Sequence, residues 1–315
     1  MTSEKINETS KGVYIIAATP FTDDGELDLG STDSLTDFYL EKGVTGFTIL
    51  GMMGEAPKLT ESETLAVMDR VLRRIDGRVP VVVGVSHASN RHVDRLSKTA
   101  MDQGAAGVML APVVNLKTDE QVYHYYATVA KLLGPDIPIC LQDFPQVTGV
   151  HMSVAVINRL IDEFPQVVMF KHEDFPGMRK LSELRAQGEP AGRRRVSVLV
   201  GNGGLFLPQE MLRGADGAMT GFAYPEMLVQ VCALFDRGQS EAAEDLFNVY
   251  LPLLRHEFQY GLGLALRKET LKRRGAIRSA HVRRPGPVLN GTDMAELGRL
   301  IQRLEDALGE RGLVG

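Results

Sequence analysis

The run of apolar and polar positions sets the organisation of this chain before any single residue is considered. Short, largely apolar runs recur at Val13–Ala18, Gly46–Leu50, Val79–Val85, Gly107–Ala111, Ile137–Gln142, Val167–Lys171, Val196–Gly201 and Gly217–Gly221. They are apolar nearly throughout rather than at every second position, which suits strands buried on both faces of a parallel sheet. Between and after them the apolar spacing is helical, over Ser31–Lys42, Glu61–Ile75, Arg91–Asp102, Asp119–Leu133, Ser153–Glu163, Gly177–Ala186, Leu205–Arg213 and Glu226–Arg237. Thr60-Glu61-Ser62-Glu63 fits a capping box, and Asn90 and Ser153 are candidate caps. Eight strand-then-helix units with no break in composition predict an α/β fold, a closed (β/α)8 TIM barrel over residues 12–237. The competing architecture, an open doubly wound sheet, normally carries a glycine-rich phosphate turn after its first strand, whereas this chain reads Thr19-Pro20-Phe21-Thr22 there. Residues 1–11 form a polar amino-terminal segment. Residues 238–315 form a carboxyl-terminal helical extension, with helices over Glu241–Tyr260, Gly263–Arg274 and Thr292–Gly309 and a bend or break at Pro252. A barrel closes without these helices, so they are expected to pack on its flank or against a neighbouring subunit.

Composition narrows the function classes. Of 315 residues, 44% are hydrophobic and 24% charged, ordinary values for a globular chain able to bury a large core. A net charge of −5 with scattered basic residues gives no reason to expect nucleic acid as a partner. The basic runs Arg193–Arg195 and Lys272–Arg274 read as solvated surface. The two cysteines, Cys140 and Cys232, each sit in an apolar stretch and read as reduced, buried side chains rather than metal ligands; no metal site is expected. No apolar run is long enough to span a bilayer and the amino terminus has no signal-peptide core, so a soluble cytoplasmic protein without a membrane partner is expected.

In such barrels chemistry gathers at the carboxyl ends of the strands. The polar or unusual residues there are Thr19, the Gly51–Glu55 loop, Ser86, His87, Gln142, Asp143, Lys171, Asn202 and Thr220. Lys171 closes the apolar run Val167-Val168-Met169-Phe170. Burying a lysine cation is costly and favours the free amine, the form that attacks a ketone; the ordinary alternative is a side chain snorkelling to solvent. In Gly51-Met52-Met53-Gly54-Glu55, glycines bracket two residues and let neighbouring backbone N–H groups converge on an anion such as a carboxylate. Gln142-Asp143-Phe144-Pro145 leaves the fifth strand with polar side chains that could meet a substrate.

These features, in this order, resemble the dihydrodipicolinate synthase and N-acetylneuraminate lyase family of class I aldolase barrels. The resemblance runs through Ala18-Thr19-Pro20-Phe21, Asp24-Gly25, Gly51-x-x-Gly54-Glu55, Pro145-x-x-Thr148-Gly149, Phe170-Lys171-x-Glu173 and Gly214-Ala215-Asp216-Gly217, covering essentially the whole chain. It implies that Lys171 forms a Schiff base with a small 2-oxo acid without any further cofactor. It also implies that the Gly51–Glu55 loop holds the substrate carboxylate, and that the protein is a homodimer or homotetramer. Thr19, Met52, Met53, Gly54, Gln142, Thr220 and Gly221 are the expected substrate contacts.

The chain departs from the synthase at four places. The family's relay threonine in the carboxylate loop is replaced by Met52 and Met53, and its fifth-strand tyrosine by Gln142. Its interface tyrosine after the fourth strand falls at Pro112-Val113-Val114, and the arginine that binds the second substrate falls at Val147. Methionine, valine and an amide cannot shuttle protons. Leu141-Gln142-Asp143, Ser86-His87-x-Ser89, Pro176-Gly177, Gly261-Leu262 through Arg267-Lys268, and Gly275–Ser279 with Val282-Arg283 are instead similar to sugar-acid dehydratases of this superfamily, notably 2-keto-3-deoxyarabonate dehydratases. Their carboxylate loop differs from Gly51–Glu55. The expected activity is a Schiff-base lyase that dehydrates, or cleaves by retro-aldol reaction, a 2-keto-3-deoxy sugar acid. Dihydrodipicolinate synthesis and a non-catalytic 2-oxo-acid sensor are the alternatives. His87, Asp143 and Glu173 are the candidate acid or base groups; His172, adjacent to the lysine, should point away from the barrel axis by strand alternation.

Overall fold

The computed structural model describes residues 4–310. Eight parallel strands, β1 Gly12–Ile16, β2 Gly46–Ile49, β3 Val81–Gly84, β4 Gly107–Leu110, β5 Ile139–Asp143, β6 Val167–His172, β7 Ser197–Val200 and β8 Gly217–Ala218, pair in chain order into a closed barrel. β1 and β8 are shorter than the apolar runs suggested. The chain beyond them stays extended, however, and Ile16 N donates to Thr220 O at 2.8 Å. Outside the barrel lie α1 Leu29–Glu41, α2 Glu61–Ile75, α3 Asn90–Asp102, α4 Asp119–Leu133, α5 Pro145–Thr148, α6 Val154–Glu163, α7 Met178–Ala186, α8 Leu207–Leu212 and α9 Pro225–Asp236. The extension adds α10 Ser240–Glu257, α11 Gly263–Arg273 and α12 Gly291–Glu310.

The local signals explain most helix starts. Thr60 and Glu63 satisfy each other's backbone N–H groups in a complete capping box, and Ser153 accepts from Val156 N. Asn90 is not a cap: it is the first residue of α3, preceded by Ser89. The one-turn helix α5 had no periodicity to announce it; Pro145 starts it and Gly149, at φ 67°, ends it. Pro252 neither breaks nor ends α10. That helix packs on α9, α11 and α12, and burial outweighs the roughly 3 kcal/mol of an interior proline.

Strand alternation divides the side chains between two cores. Tyr14, Ile16, Val82, Met109, Cys140, Met169, Leu199 and Met219 fill the barrel, with Ile6 of the amino-terminal segment plugging its lower end. Ile6 N donates to Ala106 O at 3.0 Å, and Ile6 lies where a Cβ on Gly107 would stand 2.7 Å from its Cδ1, so only glycine fits there. Phe47, Leu141, Phe170 and Val200 face the helices instead. On β6, Met169 therefore points inward and Phe170 outward, and Lys171, two residues beyond Met169, faces the barrel axis. Among the described residues no helix is long and apolar enough to cross a membrane.

Candidate active site

At the carboxyl end of the barrel a cavity of about 260 Å³ opens above the apolar interior. Lys171 and Glu173 come from β6 and its exit, Gln142 from β5, Asn202 from the turn after β7, Thr220 and Gly221 from beyond β8, and Met52 and Met53 from the loop after β2. Lys171 is 4% exposed and Glu173 6%. Lys171 Nζ stands 2.9 Å from Glu173 Oε2, and Gln142 Nε2 donates to the same oxygen at 2.7 Å. A Cβ on Gly201 would stand 2.2 Å from Glu173 Cγ, so the missing side chain at 201 is what lets Glu173 fold inward. Asn202 Nδ2 donates to Glu173 O at 3.2 Å and fixes the turn that carries it.

The loop after β2 carries two residues in strained backbone conformations and two backbone N–H groups without a protein acceptor among the described residues. Leu50 and Glu55 both adopt positive φ, 57° and 54°. Such conformations are costly for residues with a Cβ and persist where the surroundings impose them. Here Gly84 is part of the reason, because a Cβ at 84 would stand 2.4 Å from Leu50 O. Gly54 N donates to Gly51 O and Glu55 N to Met52 O, both at 3.0 Å, whereas the N–H groups of Met52 and Met53 donate to no protein acceptor among the described residues. A carboxylate can accept from both. Their side chains carry no titratable group, so they cannot relay protons.

The Glu55 side chain turns away from the cavity and anchors the loop. Its Oε1 accepts from Lys268 Nζ at 2.6 Å, and its Oε2 accepts from Lys58 Nζ at 2.8 Å and Arg283 N at 3.0 Å. Lys268 is wholly buried, and burial pulls its pKa down to about 8 despite Glu55. Glu55→Gln leaves the buried Lys268 ammonium with only neutral acceptors, an amide oxygen and His281 O, and no opposite charge, whereas Lys268→Met leaves Glu55 two donors. Denaturant unfolding should therefore show Glu55→Gln costing about 3–5 kcal/mol and Lys268→Met clearly less; equal losses would contradict this asymmetry.

Several expected residues lie elsewhere. Thr19 is buried and donates from its hydroxyl to Gly54 O at 2.6 Å; it supports the loop and does not line the cavity, and Gly54 itself is engaged in that turn. Asp143, expected as an acid or base, follows Leu141 to the helix-facing side of β5 and is paired there with Lys180. Desolvation raises its pKa to about 6, with Lys180 opposing. His172 does point outward, its Nε2 2.9 Å from Gly177 O, and burial lowers its pKa to about 4. His87 is exposed, accepts from Ser89 N at 3.0 Å and stacks on His92. It lines a neighbouring recess that adjoins the lysine cavity at Met52 and Gln142, and it is not among the residues lining the cavity of Lys171. Val114 is 59% exposed and outside the cavity, whereas Val147 lines it.

The extension does more than pack on the flank. Glu257 at the end of α10, Phe258, Tyr260 and Arg267 of α11 form one wall of the cavity. Burial raises the pKa of the Tyr260 phenol, and the Glu173 carboxylate nearby adds to the rise. Sequence alternation cannot reveal this wall, because it comes from helices outside the repeating units. Cys140 and Cys232 are free and buried, their thiols pushed up to about 12 by desolvation. Among the described residues no group of three or more His, Cys, Asp or Glu side chains could hold a metal.

Known proteins resemble this chain over nearly its whole length. The signature of the dihydrodipicolinate synthetase family matches residues 9–304. An L-2-keto-3-deoxyarabonate dehydratase of Azospirillum brasilense is 31% identical over 299 residues, 94% of each chain. A 4-hydroxy-tetrahydrodipicolinate synthase of Persephonella marina is also 31% identical, over 79% of this chain and 83% of that one. A crystal structure of a dihydrodipicolinate synthase from Rhodopseudomonas palustris superimposes with a TM-score of 0.93 at 46% identity, covering 96% of this chain and all of the other. YagE of E. coli K12, solved in complex with pyruvate, gives 0.84 at 26% identity, over 94% of this chain and 98% of that one. A buried lysine at the exit of the sixth strand, a strained loop with two free amides, and a shared fold from end to end thus accompany a signature that spans nearly the whole sequence: the chain belongs to the dihydrodipicolinate synthetase family, whose members are class I lyases.

Proposed function

We propose that this protein is a dehydratase of a five-carbon 2-keto-3-deoxy sugar acid, working through a Schiff base on Lys171. The observation that carries this reading is the contact between Lys171 Nζ and Glu173 Oε2, shared with the amide of Gln142. The substrate carboxylate accepts from the N–H groups of Met52 and Met53, which directs its C2 carbonyl at Lys171. The amine adds to C2, and loss of water gives a protonated imine. That cation acidifies C3, and Glu173 removes a C3 proton to leave an enamine. The enamine expels the C4 hydroxyl, which leaves as water after taking up a proton from Glu173. Hydrolysis of the conjugated imine then frees Lys171. One carboxylate beside the lysine can serve both proton transfers, and the amide at position 142 can hold it without competing for the proton.

The dehydratase relative supports this substrate class. The synthases among the relatives keep dihydrodipicolinate synthesis as the second reading, favoured by the 46% identity to the Rhodopseudomonas palustris protein. Gln142 and Val147 weigh against it, since the amide cannot relay a proton and the valine cannot bind a second carboxylate. Turnover of L-2-keto-3-deoxyarabonate, set against condensation of pyruvate with aspartate semialdehyde, separates the two. The dehydratase reading expects kcat/KM at least about 100-fold higher for the sugar acid; faster condensation would overturn it.

A further inference from the structure

We propose that the buried Arg267–Glu257 pair is the specificity-determining element of the cavity, recognising a hydroxyl group on the tail of the 2-oxo acid beyond C4. This rests on the Schiff-base reading above for the placement of the substrate's head. The two side chains are 4% and 2% exposed, and both line the lysine cavity. Their interactions are incomplete in a particular way. Glu257 Oε2 accepts from Arg267 Nε at 3.2 Å and from Ala223 N at 3.3 Å. Glu257 Oε1 is buried with no hydrogen-bond partner. The Thr270 hydroxyl also neighbours this carboxylate, but donates to Leu266 O at 2.9 Å. The NH1 and NH2 groups of Arg267 meet no protein acceptor among the described residues. A Cβ on Gly221 would stand 2.5 Å from NH1, so the guanidinium occupies space that the missing side chain at 221 leaves open.

A buried carboxylate oxygen without a donor is expensive and calls for a ligand that completes it. What the pair offers is one unfilled acceptor beside unfilled donors, with no net charge. A hydroxyl accepts from the guanidinium and, with a turn of the carboxylate that brings the buried Oε1 to the cavity, donates to that oxygen as well. A second carboxylate would gain the guanidinium but face Oε1, which repels it. Asn202, whose Oδ1 is likewise buried and unpartnered, lines the same cavity. Phe258 and Tyr260 line the same cavity.

The test uses the full chain and needs no dehydration. Borohydride reduction of the imine is measured as a function of 2-oxo acid concentration for 4,5-dihydroxy-2-oxopentanoate, its 5-deoxy counterpart 4-hydroxy-2-oxopentanoate, and 2-oxoglutarate. The wild type should half-saturate with the dihydroxy acid at a concentration about 10- to 100-fold below that for the 5-deoxy acid, the range expected for a hydrogen bond to charged partners. In Arg267→Met and Glu257→Gln that ratio should collapse to within about threefold of one. Gly221→Ala displaces NH1 without touching either charge and should lower the ratio as well, which preserves the test if a charge variant does not fold. A wild-type ratio near one, a ratio retained in the variants, or half-saturation at the lowest concentration by 2-oxoglutarate overturns the proposal. Normal trapping selectivity without turnover of the dihydroxy acid would instead remove the dehydratase reading and leave this one standing.

Discussion

Replacing Lys171 with methionine or arginine should lower sugar-acid turnover by at least about 10⁴-fold, the scale on which losing a covalent nucleophile is felt. Neither side chain can form an imine: methionine has no amine, and a guanidinium does not surrender its proton. Methionine matches the lysine stem and suits a site that is 4% exposed, above an interior already filled by Met169 and Met219. Glu173 keeps Gln142 Nε2 as a donor in that variant, so the barrel should still unfold cooperatively on heating. Residual turnover within about tenfold of the wild type would mean that the cavity works without a Schiff base. Loss of both activity and the thermal transition in the two variants would point to a structural lysine instead.

Glu173→Gln separates the steps that the lysine variants remove together. The amide has nearly the same shape and can still hydrogen-bond Lys171 and Gln142, but it cannot move a proton. Dehydration should fall by about 10²- to 10⁴-fold, while imine formation continues. Exchange of the C3 protons of bound pyruvate with deuterated water, followed by NMR, isolates the proton abstraction and should slow by a similar factor. If exchange and dehydration both stay within about threefold, Glu173 only positions the lysine and the acid–base group lies elsewhere. Tyr260→Phe is the informative companion, because its phenol shares the cavity with Glu173. It should lower turnover far less than Glu173→Gln.

The repeating part of this molecule was legible because its periodicity is strong. Eight buried runs, each followed by a helical pattern, leave little freedom for any arrangement other than a closed parallel barrel. Strand alternation, followed far enough, also sorts the site residues. Met169, Lys171 and Glu173 share one face, as do Cys140 and Gln142, whereas Leu141 and Asp143 share the other. Asp143 could therefore have been set aside from the sequence by the same argument that turned His172 outward. Thr19 and Gly54 belong to the right loops, but which groups face the substrate depends on turns whose backbone torsions no pattern encodes. His87 sits at the correct end of β3, yet its loop folds it against His92. The wall formed by Glu257, Phe258, Tyr260 and Arg267 was out of reach of strand alternation, and the stretch from Gly261 to Lys268 stood out only by its likeness to the dehydratases. Its residues come from a helix corner that meets the strand ends only through long-range packing, fastened by the contacts of Lys268 and Arg283 with Glu55.

The proposed chemistry depends most on Lys171 being the residue that binds the keto carbon. Reduction of the intact protein with borohydride in the presence of pyruvate, followed by digestion and peptide mass mapping, tests this directly. The expected result is a single reduced pyruvyl adduct on the peptide containing Lys171, dependent on pyruvate and absent in Lys171→Met. An unmodified Lys171 peptide, or an adduct carried by Lys180 or Lys268 instead, would contradict the account.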